Sequence, residues 1–162
     1  MGALELPASG NIYLDTNCFI YSVERIDPYR TILDALWQAV SVGQIKVVTS
    51  ELTLLEVLVK PLKARDFTTA GIFRTVLRHS PDVQMLSITQ AILEEAATLR
   101  ATIGIKTPDA LHAATALLSG CTLLITNDNT FRQITGLSVT LLSEIVDWTE
   151  TTAHQSEPPQ PT

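Results

Sequence analysis

Residues 122–129, Thr-Leu-Leu-Ile-Thr-Asn-Asp-Asn, organise the reading of the whole chain. Thr122 to Ile125 is its most strand-like run, and it stops at Asn127-Asp128-Asn129, residue types that favour turns. The same pattern stands near the N-terminus, where Ile12-Tyr13-Leu14 runs into Asp15-Thr16-Asn17. Further strands are expected at Ile45 to Thr49, at Val83 to Leu86 and, more weakly, at Ser138 to Leu141.

Helical periodicity fills the intervals. Ile32, Leu33, Leu36, Trp37 and Val40 recur at helical spacing from Tyr29 to Val42, with Gly43 as a stop. Ser50 is placed to cap a helix carrying Leu54, Leu55, Leu58 and Val59, ended before Pro61. Phe67 to Arg78 reads as another helix. Ser87 and Gln90 have capping-box spacing for a helix reaching about Ile103. Thr107-Pro108-Asp109 reads as a helix start with threonine as cap, proline in the first turn and an acid beside the positive dipole end. That helix runs to Leu118 and Gly120, and Ser143 to Trp148 is expected to form a last short one. Short apolar strands separated by helices predict an α/β fold with a parallel sheet covered on both faces.

The bulk properties fit one domain. The chain has 162 residues, 46% of them apolar and 17% charged, which excludes wholesale disorder. The domain is expected over residues 11–148, with an N-terminal extension at 1–10 and a disordered Pro-rich tail at 149–162. No apolar run approaches the ~20 residues that cross a bilayer. The first ten residues lack a secretory h-region, and Leu6 occupies the Ser/Thr position of a myristoylation motif. A cytoplasmic protein is expected. Cys18 and Cys121 sit in apolar stretches and read as buried thiols. The formal charge of −6 opposes bulk attraction to nucleic acid, yet Lys60, Lys63, Arg65, Arg74 and Arg78 face a single acid, Asp66, between Lys60 and His79.

Four acids carry the chemistry. In open parallel sheets, ligands bind beyond the carboxyl ends of the strands. Asp15 ends the first strand and Asp128 follows the fourth, so both stand at that edge. Helices return antiparallel to the strands, which brings Asp109, at a helix start, to the same rim. Glu56 lies six residues past Ser50, roughly 9 Å into its helix at about 1.5 Å per residue, and helical side chains tilt back towards the N-terminus. Turn, cap and dipole roles account for the aspartates singly. Glu56, within Leu54-Leu55-Glu56-Val57-Leu58-Val59, resists such an account unless Lys60 one turn on satisfies it. Together the carboxylates repel one another and call for a cation. Hard oxygen donors favour Mg²⁺ or Mn²⁺, one or two ions, and such a site suits hydrolysis of a phosphodiester by metal-bound water.

Ile-Tyr-Leu-Asp-Thr-Asn-Cys-Phe-Ile-Tyr (12–21 with Ile at 12), the glutamate in Leu-Thr-Leu-Leu-Glu-Val, Thr-Pro-Asp-Ala-Leu-His-Ala-Ala and Leu-Leu-Ile-Thr-Asn-Asp-Asn-Thr-Phe together resemble a PIN domain, and more narrowly the VapC-type toxins of bacterial toxin–antitoxin pairs. The resemblance covers about Asn11 to Val146. It implies a three-layer α/β/α sandwich and Mg²⁺- or Mn²⁺-dependent cleavage of RNA, with Asp15, Glu56, Asp109 and Asp128 as catalytic metal ligands. It implies a small antitoxin as partner. The family's helper near the fourth acid falls on Thr126 or Asn127, and Asn17 is a further candidate beside the first. Discounting the four site acids brings the formal charge from −6 to about −2. Lys60, Lys63, Arg65, Arg74, Arg78, Arg100 and Lys106 are then the candidate RNA contacts. Apolar helices at Ile32 to Val40 and Leu54 to Leu77 suit a homodimer or simply the core.

Two other classes are considered. A non-cleaving RNA-binding or protein-interaction module would keep the fold, although no acid has been lost. An aspartate-nucleophile phosphatase would need a second acid at position 17, where Asn17 cannot act as general acid.

Overall fold

A computed structural model of the chain describes residues 2–146. Five strands, β1 (Asn11–Leu14), β2 (Lys46–Ser50), β3 (Val83–Leu86), β4 (Leu123–Thr126) and β5 (Val139–Leu141), form one sheet in the order β3-β2-β1-β4-β5. Every pairing is parallel, with Tyr13 opposite Val48 on one side and Leu124 on the other. The helices are α1 (Thr16–Val23), α2 (Tyr29–Ser41), α3 (Glu51–Lys63), α4 (Phe67–His79), α5 (Gln90–Ile103) and α6 (Thr107–Leu118). Residues 142–146 are also helical, and the end of that segment and the tail at 149–162 lie outside the described residues.

The strands are apolar throughout because both faces are covered. Ile12, Leu14, Val47 and Ile125 face a core shared with Phe19, Leu36, Val57 and Phe73 of α1 to α4. Tyr13, Val48 and Leu124 face the opposite core with Ile92, Leu99 and a row of small residues on α6: Ala110, Ala113, Ala114 and Ala116, all fully buried. This is the α/β/α sandwich expected from the sequence. Cys18 and Cys121 are free and buried, one in each core. The N-terminal segment is tied down: Leu4 joins the first core, and the carbonyls of Pro7 and Gly10 accept hydrogen bonds from Gln44 Nε2 and the Lys46 amide. Among the described residues, no helix is long and apolar enough to cross a membrane.

Local structure corrects the sequence in three places. Pro61 lies inside α3, which runs on to Lys63. A proline costs the amide of its own position, and so near the end of a helix little else is lost. The cap of α5 is Thr89, whose hydroxyl accepts from the Ile92 amide, and not Ser87. Ser87 Oγ donates to Glu51 Oε1, and Glu51 Oε2 accepts the Ile88 amide, so this stretch spans from β3 to the start of α3. Thr107 is the first residue of α6; Lys106 holds the cap position without a side-chain bond, leaving Pro108 and Asp109 to define the start. Gly104, at φ 69°, ends α5 in the left-handed conformation, where a side chain would be strained.

Candidate active site

The strand order reverses direction between β1 and β4, and that switch point lies at their carboxyl ends. Asp15 and Asp128 leave the sheet on its two sides. Asp15 caps α1, its Oδ1 accepting the Thr16 amide at 2.8 Å. Its Oδ2 accepts the Thr126 hydroxyl at 2.7 Å across the switch point. The same hydroxyl accepts the Asp128 amide at 2.9 Å, and Asp128 Oδ1 in turn accepts the Thr130 amide at 2.8 Å, opening the 3₁₀ turn Asn129–Gln133. Thr126 therefore joins the two strand ends.

Glu56 leans from the second turn of α3 towards this rim. Its Oε1 receives Thr16 Oγ1 at 2.9 Å and sits 2.6 Å from His112 Nε2. His112, 2% exposed, lies one turn below Asp109 on α6, and its Nε2 is also 4.0 Å from Asp15 Oδ1. Lys60, the partner offered one turn on, pairs instead with Glu24 at 3.2 Å. Asp109 stands half-buried in the first turn of α6 and shares a polar cavity with Asp128, Lys106, Thr130 and Gln133.

The carboxylates feel one another. Burial pushes Asp15 above the usual carboxylate range against the opposing pull of His112, Thr126 and the Thr16 amide, and Glu56 adds to the rise. Asp109 is raised by partial burial, then by the charges of Asp128, Asp15 and Glu56. Glu56 goes the other way: burial would raise it, but the His112 and Thr16 hydrogen bonds and the His112 charge outweigh that and lower it.

All four acids thus come to one rim, coupled electrostatically. Among the described residues, no three His, Cys, Asp or Glu side chains are gathered tightly enough to enclose a metal by themselves. Of the helper candidates, Thr126 touches an acid. Asn127 braces other parts, donating to Tyr21 Oη at 3.2 Å and accepting the Ser143 amide at 2.8 Å. Asn17 is exposed in the first turn of α1. Of the seven basic residues, only Lys106 lines the cavity; Arg100 Nε donates to the Ile105 carbonyl at 3.2 Å. Lys60 and Lys63 lie on the far half of α3, Arg65 in the turn that follows it, and Arg74 and Arg78 on α4.

The sequence reading passed over Thr16, His112 and Tyr13. Thr16 looks like a turn residue in Asp-Thr-Asn. The clue to His112 was its i+3 spacing from Asp109 in Asp-Ala-Leu-His, which puts both on one helical face.

Fold and site define a small parallel α/β domain with a carboxylate cluster at the switch point of its sheet. The sequence profile of the PIN domain matches residues 12–137, and the chain belongs to that family. Similar solved structures include a chain of a toxin–antitoxin complex from Klebsiella pneumoniae, 28% identical with a TM-score of 0.58 over 78% of this chain and 94% of that one. VapC20 of Mycobacterium tuberculosis, a sarcin-ricin loop cleaving toxin, gives 19% identity and a TM-score of 0.64 over 75% and 93%. A chain of VapBC2 from Rickettsia felis, bound to a DNA fragment from its promoter, gives 18% and 0.61 over 81% and 98%. No curated protein matches the chain in sequence.

Proposed function

We propose that this PIN domain is a divalent-cation-dependent endoribonuclease and the toxin of a VapBC-type toxin–antitoxin pair. The observation that carries the proposal is the gathering of Asp15, Glu56, Asp109 and Asp128 at one rim, where burial and then Glu56 raise Asp15, and burial and then the other three acids raise Asp109, a site that a cation would relieve. Asp15, Glu56, Asp109 and Asp128 would hold Mg²⁺ or Mn²⁺, their oxygen donors fitting such ions better than Zn²⁺. When bound, the cation lowers the pKa of a water and offsets charge developing on the phosphate.

The protein supplies the rest. Thr126 and the Thr16 amide hold Asp15 in one orientation, and Thr16 and His112 hold Glu56. Lys106, on the wall of the Asp109–Asp128 cavity, offers a cation to an RNA phosphate. Lys60, Lys63, Arg65, Arg74, Arg78 and Arg100 are candidate contacts for more distant phosphates. The likeness to the Klebsiella complex supports the toxin role and a small antitoxin as partner. A stripe of exposed apolar residues on α3 and α4, Leu55, Val59, Leu62, Phe67 and Ile72, is the surface we assign to a second copy of the chain.

Incubation of the purified protein with RNA in Mg²⁺ or Mn²⁺, with EDTA as control, tests the activity. Cleavage in metal, silence in EDTA and loss of growth inhibition in Asp15→Asn are expected. RNA binding without cleavage in either metal would replace this proposal by the non-cleaving module.

A further inference from the structure

We infer that Tyr13 and His112 form a proton-ordered clamp that fixes one oxygen of Glu56 from inside the core and leaves the other to face the cation; His112 is thereby a positioning residue. The inference rests on the nuclease reading for its consequence, but not for its geometry.

Tyr13 Oη lies 2.5 Å from His112 Nδ1, and both side chains are buried. Glu56 Oε1 is a carboxylate oxygen and can only accept, so its 2.6 Å contact places a proton on His112 Nε2. The Tyr13 hydroxyl donating to Nδ1 supports that arrangement from the other side of the ring. The opposite tautomer would aim a lone pair at Glu56 Oε1 from 2.6 Å. Tyr13 therefore selects the tautomer whose Nε2–H donates to the carboxylate.

Thr16 completes the arrangement, since its hydroxyl donates to the same Oε1. Beneath it, Thr53 and Thr49 lie 2.7 Å apart, and Thr49 donates to the Leu14 carbonyl at 3.0 Å. Thr49 has thus spent its only proton, and Thr53 donates to it. The Thr16 hydroxyl, 3.3 Å from Thr53 Oγ1 and 2.9 Å from Glu56 Oε1, donates over the shorter contact. No buried side-chain polar atom among the described residues lacks a partner. Oε1 takes two donors, and no described residue hydrogen-bonds Oε2. One ring, on the helix that carries Asp109, thereby holds Glu56 while lying 4.0 Å from Asp15.

The test uses the full chain. Without metal, ¹⁵N–¹H spectra of the imidazoles should show His112 with its proton on Nε2, and Tyr13→Phe should release that preference. A wild-type His112 protonated on Nδ1 would overturn the clamp. Mn²⁺ titration calorimetry should show affinity falling roughly 10–100-fold in His112→Leu, the usual loss when a partner of a metal ligand is removed. His112→Gln, which can still donate to Glu56, should recover most of it. A folded His112→Leu protein with wild-type Mn²⁺ affinity would also overturn the clamp, and should that variant not fold, the Tyr13→Phe spectra decide. A wild type that binds no Mn²⁺ refutes the nuclease reading instead, and the metal-free spectra still judge the tautomer.

Discussion

Replacing Thr126 with valine removes a hydroxyl at nearly constant volume, and two hydrogen bonds go with it. One is the 2.7 Å bond to Asp15 Oδ2; the other is accepted from the Asp128 amide at 2.9 Å. Asp15 Oδ2 has little water to turn to, because Thr126 is fully buried and Asp15 is only 6% exposed; the Asp128 amide is part-buried. A bond to a charged group contributes about 1.5–3 kcal/mol and a neutral one about 1, so the loss at neutral pH should be about 2–4 kcal/mol. In urea that is a midpoint shift of about 1–2 M at a slope of about 2 kcal/mol/M. The loss should depend on pH. Asp15 is raised in the folded protein, so its contribution favours the native state at acid pH and is lost as pH rises through the folded value. Thr126 offsets part of that loss by bonding the charged form. Thr126→Val should therefore cost most at neutral pH, less at acid pH, and less in an Asp15→Asn background; Thr126→Ser should restore most of the stability. Urea unfolding in EDTA, at both pH values and in both backgrounds, measures each quantity. A loss independent of pH and of Asp15 would refute the reasoning.

Asp109→Asn should stabilise the metal-free protein at neutral pH, because the charged form of Asp109 is disfavoured by burial and by three neighbouring acids. The difference should vanish at acid pH, where Asp109 is protonated; thermal melts in EDTA read both, and a neutral-pH loss would count against it. Lys106→Ala should raise KM for RNA with kcat little changed, since its place on the cavity wall suits binding rather than chemistry. A loss confined to kcat would contradict that role. Leu55→Asp puts a charge on the exposed stripe of α3 and should shift the protein from dimer to monomer in light scattering without lowering its melting temperature. An unchanged mass would remove the stripe from the interface.

The strands were legible because each is a short apolar run with a turn signal at its end, and burial on both faces demands that pattern. The acids were legible for a related reason: a carboxylate at the end of an apolar strand, or inside an apolar helix as Glu56 is, is conspicuous. What supports them was not. His112 meets Glu56 across a sequence gap that no periodicity spans, and Thr16 looks like any turn threonine. Caps were misassigned where two candidates stood close together, as Ser87 and Thr89 do. The choice between them was made by Glu51, which takes up Ser87 from another element. Pro61 shows the limit of a breaker rule, because a missing amide matters less when only half a turn of helix remains.

The alanines on the buried face of α6 have a consequence beyond packing. They let a helix lie close against β1, β2 and β4, and that helix bears both Asp109 at the rim and His112 beneath it. Methyl groups thus act as the spacer between the sheet and half of the acid cluster. Extra methylenes in a filled core force shifts that cost about 1–3 kcal/mol. Here such a shift would carry Asp109 and His112 away from Asp15 and Glu56 together. Core volume and site dimensions are one variable in this domain, and the smallest side chains on α6 fix its value.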